Sequence, residues 1–323
     1  MHHFLKALAA MTSALAFAAA SAQGAYPSKP IRLVVGYAPG GGADSVARVI
    51  AEAMARDLGQ AIIIDNRPGA GATIAASFVT QAAPDGYTLF IGNDYLYGVD
   101  KQIYNVKYDG ARDFTHIARW VVAPFVVVVN KDSGIKTVAE LVAKAKQKPN
   151  NQTYSSAGQG TGPHLAGLYF SEITGAEMTH IPYKGGGPTV QAVLAGETNL
   201  TFSSATAVLP FVKGAKLNAL GVTSEHRSPM LPDTPALAEQ GLAGFDQTYW
   251  AGLLGPAGLP TAVVERLALA SAHALAEPGV KEKLTTLGNE VAPSRTPKEF
   301  EEFALRTGRK TADLVKKSGL KFE

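Results

Sequence analysis

Ile31-Arg32-Leu33-Val34-Val35-Gly36-Tyr37-Ala38-Pro39-Gly40-Gly41-Gly42-Ala43-Asp44 starts aliphatic, breaks into glycine, and ends where a helix can begin. The opening run is nearly continuous in Ile, Leu and Val, the pattern of a strand buried on both faces. From Asp44 onward, apolar residues fall at Val46, Val49, Ile50, Ala53, Met54 and Leu58, a 3.6-residue period, and Gly59 stops it. Strand, glycine loop and helix in this order start a βαβ unit. Glycine lets a backbone approach closely, and a helix start offers unpaired N–H groups and partial positive charge. Such a loop binds anions without Lys or Arg, at the strand ends where open α/β sheets collect ligands. The plainer reading of each part is structural: a tight turn, Asp44 as an N-cap, Tyr37 as packing.

The pattern recurs at Ser155-Ser156-Ala157-Gly158-Gln159-Gly160-Thr161-Gly162-Pro163-His164, at Tyr183-Lys184-Gly185-Gly186-Gly187-Pro188 and at Ser203-Ser204-Ala205-Thr206. Strands are expected at 31–37, 61–65, 88–92, 125–130, 153–156, 178–183, 199–203, 217–223 and 250–254. They alternate with helical stretches, which predicts α/β architecture with mainly parallel sheets. Thr137 with Glu140 forms a capping box, Thr296-Pro297 with Glu299 repeats the signal, and Gly175 and Gly196 end two helices. So many strands suit two sheets in two lobes. Crossovers are expected near Ala123-Pro124 and within 249–258. That gives a first lobe from 23–122 and 248–323 around a second lobe at 123–247. Glycine loops of the two lobes would then converge across a cleft.

Lys6 precedes an apolar run over 7–20 that ends in Ala20-Ser21-Ala22. A basic start, an apolar run too short to span a bilayer and a small-x-small end predict a cleaved signal peptide at 1–22 and export to the periplasm. No later segment reads as membrane-spanning. The sequence has no cysteine, so no disulfide or thiol anchor is expected. One of 30 basic residues falls in the leader, leaving 29 against 27 acidic, interspersed along the chain. That is no nucleic-acid footprint, which needs a clustered basic face.

Catalytic patterns are missing. Gly158-x-Gly160-x-Gly162 does not fit a dinucleotide fingerprint, and neither a Walker A loop nor a G-x-S-x-G elbow occurs. His116, His164, His180, His226 and His273 show no metal-site spacing. A dispersed Ser/His/Asp triad stays open from sequence alone. Arg67, in Asp65-Asn66-Arg67-Pro68-Gly69-Ala70-Gly71, reads as a structural ion pair before it reads as a carboxylate clamp.

Further motifs make the pattern specific. Pro27-Ser28-Lys29-Pro30-Ile31-Arg32, the loop at 36–44, residues 65–71 and Ala83-Pro84-Asp85-Gly86-Tyr87-Thr88-Leu89 stand in order. Residues 154–164, Ile181-Pro182-Tyr183-Lys184-Gly185, Leu231-Pro232-Asp233-Thr234-Pro235 and Gly255-Pro256-Ala257-Gly258-Leu259-Pro260 follow. Across the whole mature chain this resembles the Bug receptors of the tripartite tricarboxylate transporter family. The resemblance implies a two-lobed periplasmic binding fold, type II-like, that closes on a carboxylate held by backbone N–H groups, hydroxyls and water. It points to Gly40, Gly41, Ser156, Gly160 and Thr161 for the shared carboxylate site. Tyr37, Asn93, Asp94, His164, Lys184 and Ser204 are the candidates for the variable part. Asp94 there would favour an amino group, or lie outside the pocket.

The expected function is therefore a monomeric solute receptor with no cofactor and no enzymatic activity, which hands a small carboxylate to a membrane permease. A sensing receptor on the same fold is the alternative, and a secreted hydrolase is the reading from a different class.

Overall fold

The computed structural model describes residues 26–319 apart from 38, 41, 184 and 185. The expected leader and the candidates Gly41 and Lys184 lie outside the described residues.

The first lobe begins with β1 (Ile31–Val35), α1 (Gly42–Leu58), β2 (Ile62–Asn66), α2 (Thr73–Thr80) and β3 (Thr88–Gly92). A 3₁₀ turn at Asp94–Tyr97 and the short α3 (Val99–Ile103) follow. A long strand, β4 (Phe114–Asn130), leads to α4 (Val138–Gln147), β5 (Gln152–Ser156), α5 (Gly162–Thr174) and β6 (Met178–Pro182). Then come α6 (Gly186–Leu194), β7 (Leu200–Ser204), α7 (Ala205–Lys213) and β8 (Leu217–Val222). The chain returns through β9 (Thr248–Pro256), α8 (Thr261–Ala276), α9 (Pro278–Thr286), β10 (Glu290–Val291) and α10 (Pro297–Lys317).

The strands run in the order β2-β1-β3-β9-β4-β7-β5-β6, with β8 and β10 also paired to β4. Pairing is parallel within β2-β1-β3 and within β6-β5-β7. It is antiparallel wherever β4 or β9 takes part. Residues 114–124 of β4 pair with β9, whereas residues 125–130 pair with β7 and β8. Pro124 stands at the change of partner, a place where a missing N–H is tolerated. The buried Thr223 hydroxyl accepts from Phe125 N at 2.8 Å and donates to Gln247 O at 2.6 Å, knitting three chain segments at the joint.

Both faces of each sheet are covered, which is why the strands read as continuous aliphatic runs. In β1, Ile31, Leu33 and Val35 face a core shared with α1 and α8, while Val34 faces a core shared with α2 and α10. In β4, Val127 and Val129 pack with α4 and α5, and Val126 and Val128 with α6 and α7. Trp120 and Trp250 are fully buried, and their indole N–H groups donate to Ser271 of α8 and Thr307 of α10, both at 3.1 Å. These bonds fix the C-terminal helices to the first sheet. Thr137 and Glu140 form the expected capping box at the start of α4. The fold is thus α/β and two-lobed, with helices flanking each sheet.

Candidate functional site

The first glycine loop is organised by an acid. Asp44 is buried, and its carboxylate accepts from Gly40 N (2.8 Å), Arg48 Nε (2.9 Å) and Asn66 Nδ2 (2.8 Å). Asn66 Nδ2 also donates to Tyr37 O at 2.9 Å. Burial opposes the charge on Asp44, but the hydrogen bonds outweigh it and hold the carboxyl below its ordinary range. The Gly40 amide is therefore engaged by the protein's own carboxylate.

The second loop is organised by imidazoles. Ser156 Oγ lies 2.6 Å from His180 Nε2 and bonds the backbone of Gly158 on both sides, accepting from its N at 3.1 Å and donating to its O at 2.9 Å. Gly160 N donates to His164 Nδ1 at 3.0 Å, and Thr161 Oγ1 donates to Gly158 O at 2.7 Å. The two rings stack with centroids 3.9 Å apart. Burial, helped by the neighbouring His180, pushes His164 down to about 3, and burial pushes His180 down to about 4. Both rings are neutral at physiological pH, and His164 accepts through Nδ1, so it carries its proton on Nε2.

These loops face one another across a cavity of about 320 Å³. Its first-lobe wall consists of Gly36, Tyr37, residues 68, 69, 71 and 72, and Tyr95, Asp100, Ile103 and Tyr104. Its second-lobe wall is Ala157, Gly158, Gln159, Gly160 and Thr161. The volume suits a small organic ligand. The lobes touch here: a Cβ on Gly160 would lie 2.2 Å from Ile103 Cδ1, and one on Gly162 would lie 2.5 Å from the Tyr95 hydroxyl. A larger groove of about 800 Å³ on the first lobe shares Tyr104 but receives no second-lobe loop.

Of the residues singled out from sequence, Tyr37, Gly160 and Thr161 line the cavity. Ser156 and His164 stand behind the second loop and hold its shape. Asn93 reaches the site indirectly, donating to the Tyr37 hydroxyl at 2.9 Å while its Oδ1 caps the turn at Tyr95 N. Asp94 is buried against α10, 3.4 Å from Thr311 Oγ1, and its Oδ1 has no hydrogen-bond partner among the described residues. Burial raises its carboxyl to about 7. Ser204 is exposed at the start of α7 and is not among the lining residues. Arg67 pairs with Asp65 at 2.9 Å and stacks 3.6 Å over the Phe78 ring, the structural role expected of it.

Sequence reasoning missed the wall formed by Tyr95, Asp100, Ile103 and Tyr104, and the part that the 68–72 loop plays in it. Tyrosine density over 95–108 was the available signal. Among the described residues no cluster of His, Asp or Glu could hold a metal ion, and no helix is long and apolar enough to cross a membrane. The arrangement offers enclosure and polar contacts from both lobes.

Residues 46–320 match the family described as "Tripartite tricarboxylate transporter family receptor". A UPF0065 protein from the tcbD-tcbE intergenic region of Pseudomonas sp. (strain P51) is 38% identical over 270 residues, covering 83% of this chain and 80% of its own. Among solved structures, the R. palustris protein Rpa4515 with adipate is 30% identical with a TM-score of 0.83, covering 92% of this chain and 100% of its own. MatC from Rhodopseudomonas palustris with bound malate is 31% identical with a TM-score of 0.78, covering 90% and 100%.

Proposed function

This chain belongs to the tripartite tricarboxylate transporter receptor family, and from that premise we propose that it captures a small carboxylate between its lobes and delivers it to the membrane permease subunits of such a transporter. The family is one of solute-binding receptors of the periplasm, not of enzymes. The observation that carries the proposal is a cavity bounded by glycine loops from two different sheets. Adipate and malate in two solved relatives support a carboxylate as the ligand class.

Gly160, Thr161 and Tyr37 are assigned to the ligand wall, with Ser156 and His164 as supports. The amides of Gly40, Gly158 and Gly160 already donate within the protein, which stiffens both loops. The carboxylate is then met by the Gln159 side chain of the second-lobe wall and by bridging water. Export through the leader at 1–22 and action as a monomer belong to the same proposal.

Calorimetry and thermal unfolding with a panel of aliphatic and aromatic carboxylates test it. A ligand at a hundredfold excess over its Kd adds about 2.7 kcal/mol of stability. A panel that neither binds nor stabilises the purified protein refutes the proposal.

A further inference from the structure

One charged side chain is among the described residues that line the cleft, and it is acidic. Asp100 sits in the first turn of α3, is 3% exposed, and accepts a hydrogen bond from the Tyr108 hydroxyl. Tyr37, Tyr95 and Tyr104 complete the aromatic part of the same wall. The adjacent Lys101 is turned outward onto Asp109 at 2.6 Å. A dicarboxylate lying across this cavity would bring a second anion towards a buried carboxyl. A cation there would gain a charge-assisted bond to Asp100 and the attraction of tyrosine rings for positive charge.

We infer that the ligand is a zwitterion, with its carboxylate towards the glycine loops and an ammonium, primary or methylated, held by Asp100 and the Tyr37, Tyr95 and Tyr104 wall. This rests on the carboxylate-receptor reading and narrows it. It makes Asp100 the residue that sets specificity.

Asp100 is faced by Tyr37, Tyr95, Tyr104 and Tyr108, and its charge is felt by the buried Asp94. Burial raises its carboxyl to about 7, with the Tyr108 hydrogen bond opposing. An ammonium needs the ionised form, so zwitterion affinity should rise as pH rises through that value. Dicarboxylate affinity should not.

The test is calorimetry on the mature chain with γ-aminobutyrate, its N-trimethyl derivative and succinate, extended to longer pairs of matched length. The wild type should prefer a zwitterion over the matched dicarboxylate by about tenfold or more. Asp100→Asn should abolish that preference and leave dicarboxylate binding equal or stronger. Tyr104→Leu, which keeps the carboxyl, should weaken the methylated probe more than the primary amine. Tyr104→Leu and the pH profile keep the inference testable if Asp100→Asn does not fold. A wild type that binds the dicarboxylate as well as the zwitterion, or substitutions that leave the ratio unchanged, overturns it. If plain carboxylates bind and zwitterions do not, this inference alone falls. If nothing in the panel binds, the receptor reading falls with it.

Discussion

Gly160→Ala is the substitution that most directly probes the meeting of the lobes. Gly160 has φ +72°, and the new Cβ would lie 2.2 Å from Ile103 Cδ1 on the opposite lobe. Two effects separate. Left-handed backbone strain on a residue with a Cβ, about 1–2 kcal/mol, acts whether the lobes are together or apart. It should appear as lost stability without ligand. The clash exists only when the lobes meet. Relieving it moves the end of a flexible side chain, at about 0.5–1.5 kcal/mol for an off-rotamer shift and about 1–3 kcal/mol for overpacking in general. Taking about 1–3 kcal/mol as the whole, ligand affinity should fall by about five- to 150-fold. Calorimetry reads the affinity, and small-angle scattering reads how far ligand still compacts the protein. Ile103→Ala in the same chain should recover most of the lost affinity and none of the lost unliganded stability, a coupling that a double-mutant cycle isolates. Unchanged affinity in Gly160→Ala, or a loss that Ile103→Ala does not relieve, would refute the contact as a condition of binding.

The remaining expectations concern the supports of the site. His164 and His180 have folded values near 3 and 4 against an ordinary 6.5, so the unfolded chain binds more protons between these limits. Their contribution is complete above pH 6.5 and is lost as pH falls towards about 4, at up to about 1.4 kcal/mol per pH unit for each ring. Urea unfolding of the wild type and of a His164→Gln/His180→Gln variant should show the steeper acid slope in the wild type. Asp94 runs the other way. Its raised value means stability is lost as pH rises through about 7, so Asp94→Asn should stabilise the protein by about 2–4 kcal/mol in alkaline buffer and little in acid. Arg67→Ala should leave ligand affinity unchanged and reduce stability by about 1 kcal/mol or less, because its partners are Asp65 and Phe78. A drop in affinity would restore it as a clamp.

Much of the fold was legible because both faces of each sheet are covered, and burial writes itself as aliphatic runs. β3 falls where the pattern places it, over residues 88–92, and Gly59 and Gly175 end their helices in left-handed geometry. The first part of β4 was not legible. Residues 114–124 carry His116, Arg119 and Pro124, which dilute the apolar signal, and their pairing with β9 comes from far along the chain. The loops of the site were legible from glycine spacing, but the destination of their amides was not. A carboxylate at Asp44 and an imidazole at His164 occupy donors that sequence left for a ligand. The wall at 95–104 carries no motif. It lies in a 3₁₀ turn and a short helix whose position is set by α10 packing from the far end of the sequence.

The placement of β9 between β3 and β4 bears on how the molecule can come into being. A chain emerging N-terminus first makes β1 to β3 early, yet β3 keeps an unpaired edge until all of the second lobe has followed. Residues 125–247, by contrast, contain every strand that their own sheet needs. Folding is therefore expected to be nested, with the inserted part acquiring its order before the part that encloses it, since long-range pairing is slow. Pulsed hydrogen exchange during refolding would show amides of β5 and β7 protected ahead of those of β3, and the reverse order would contradict it. An edge left open for that interval is a site for mispairing with other chains, so the yield of folded protein should depend on what shields β3 while it waits.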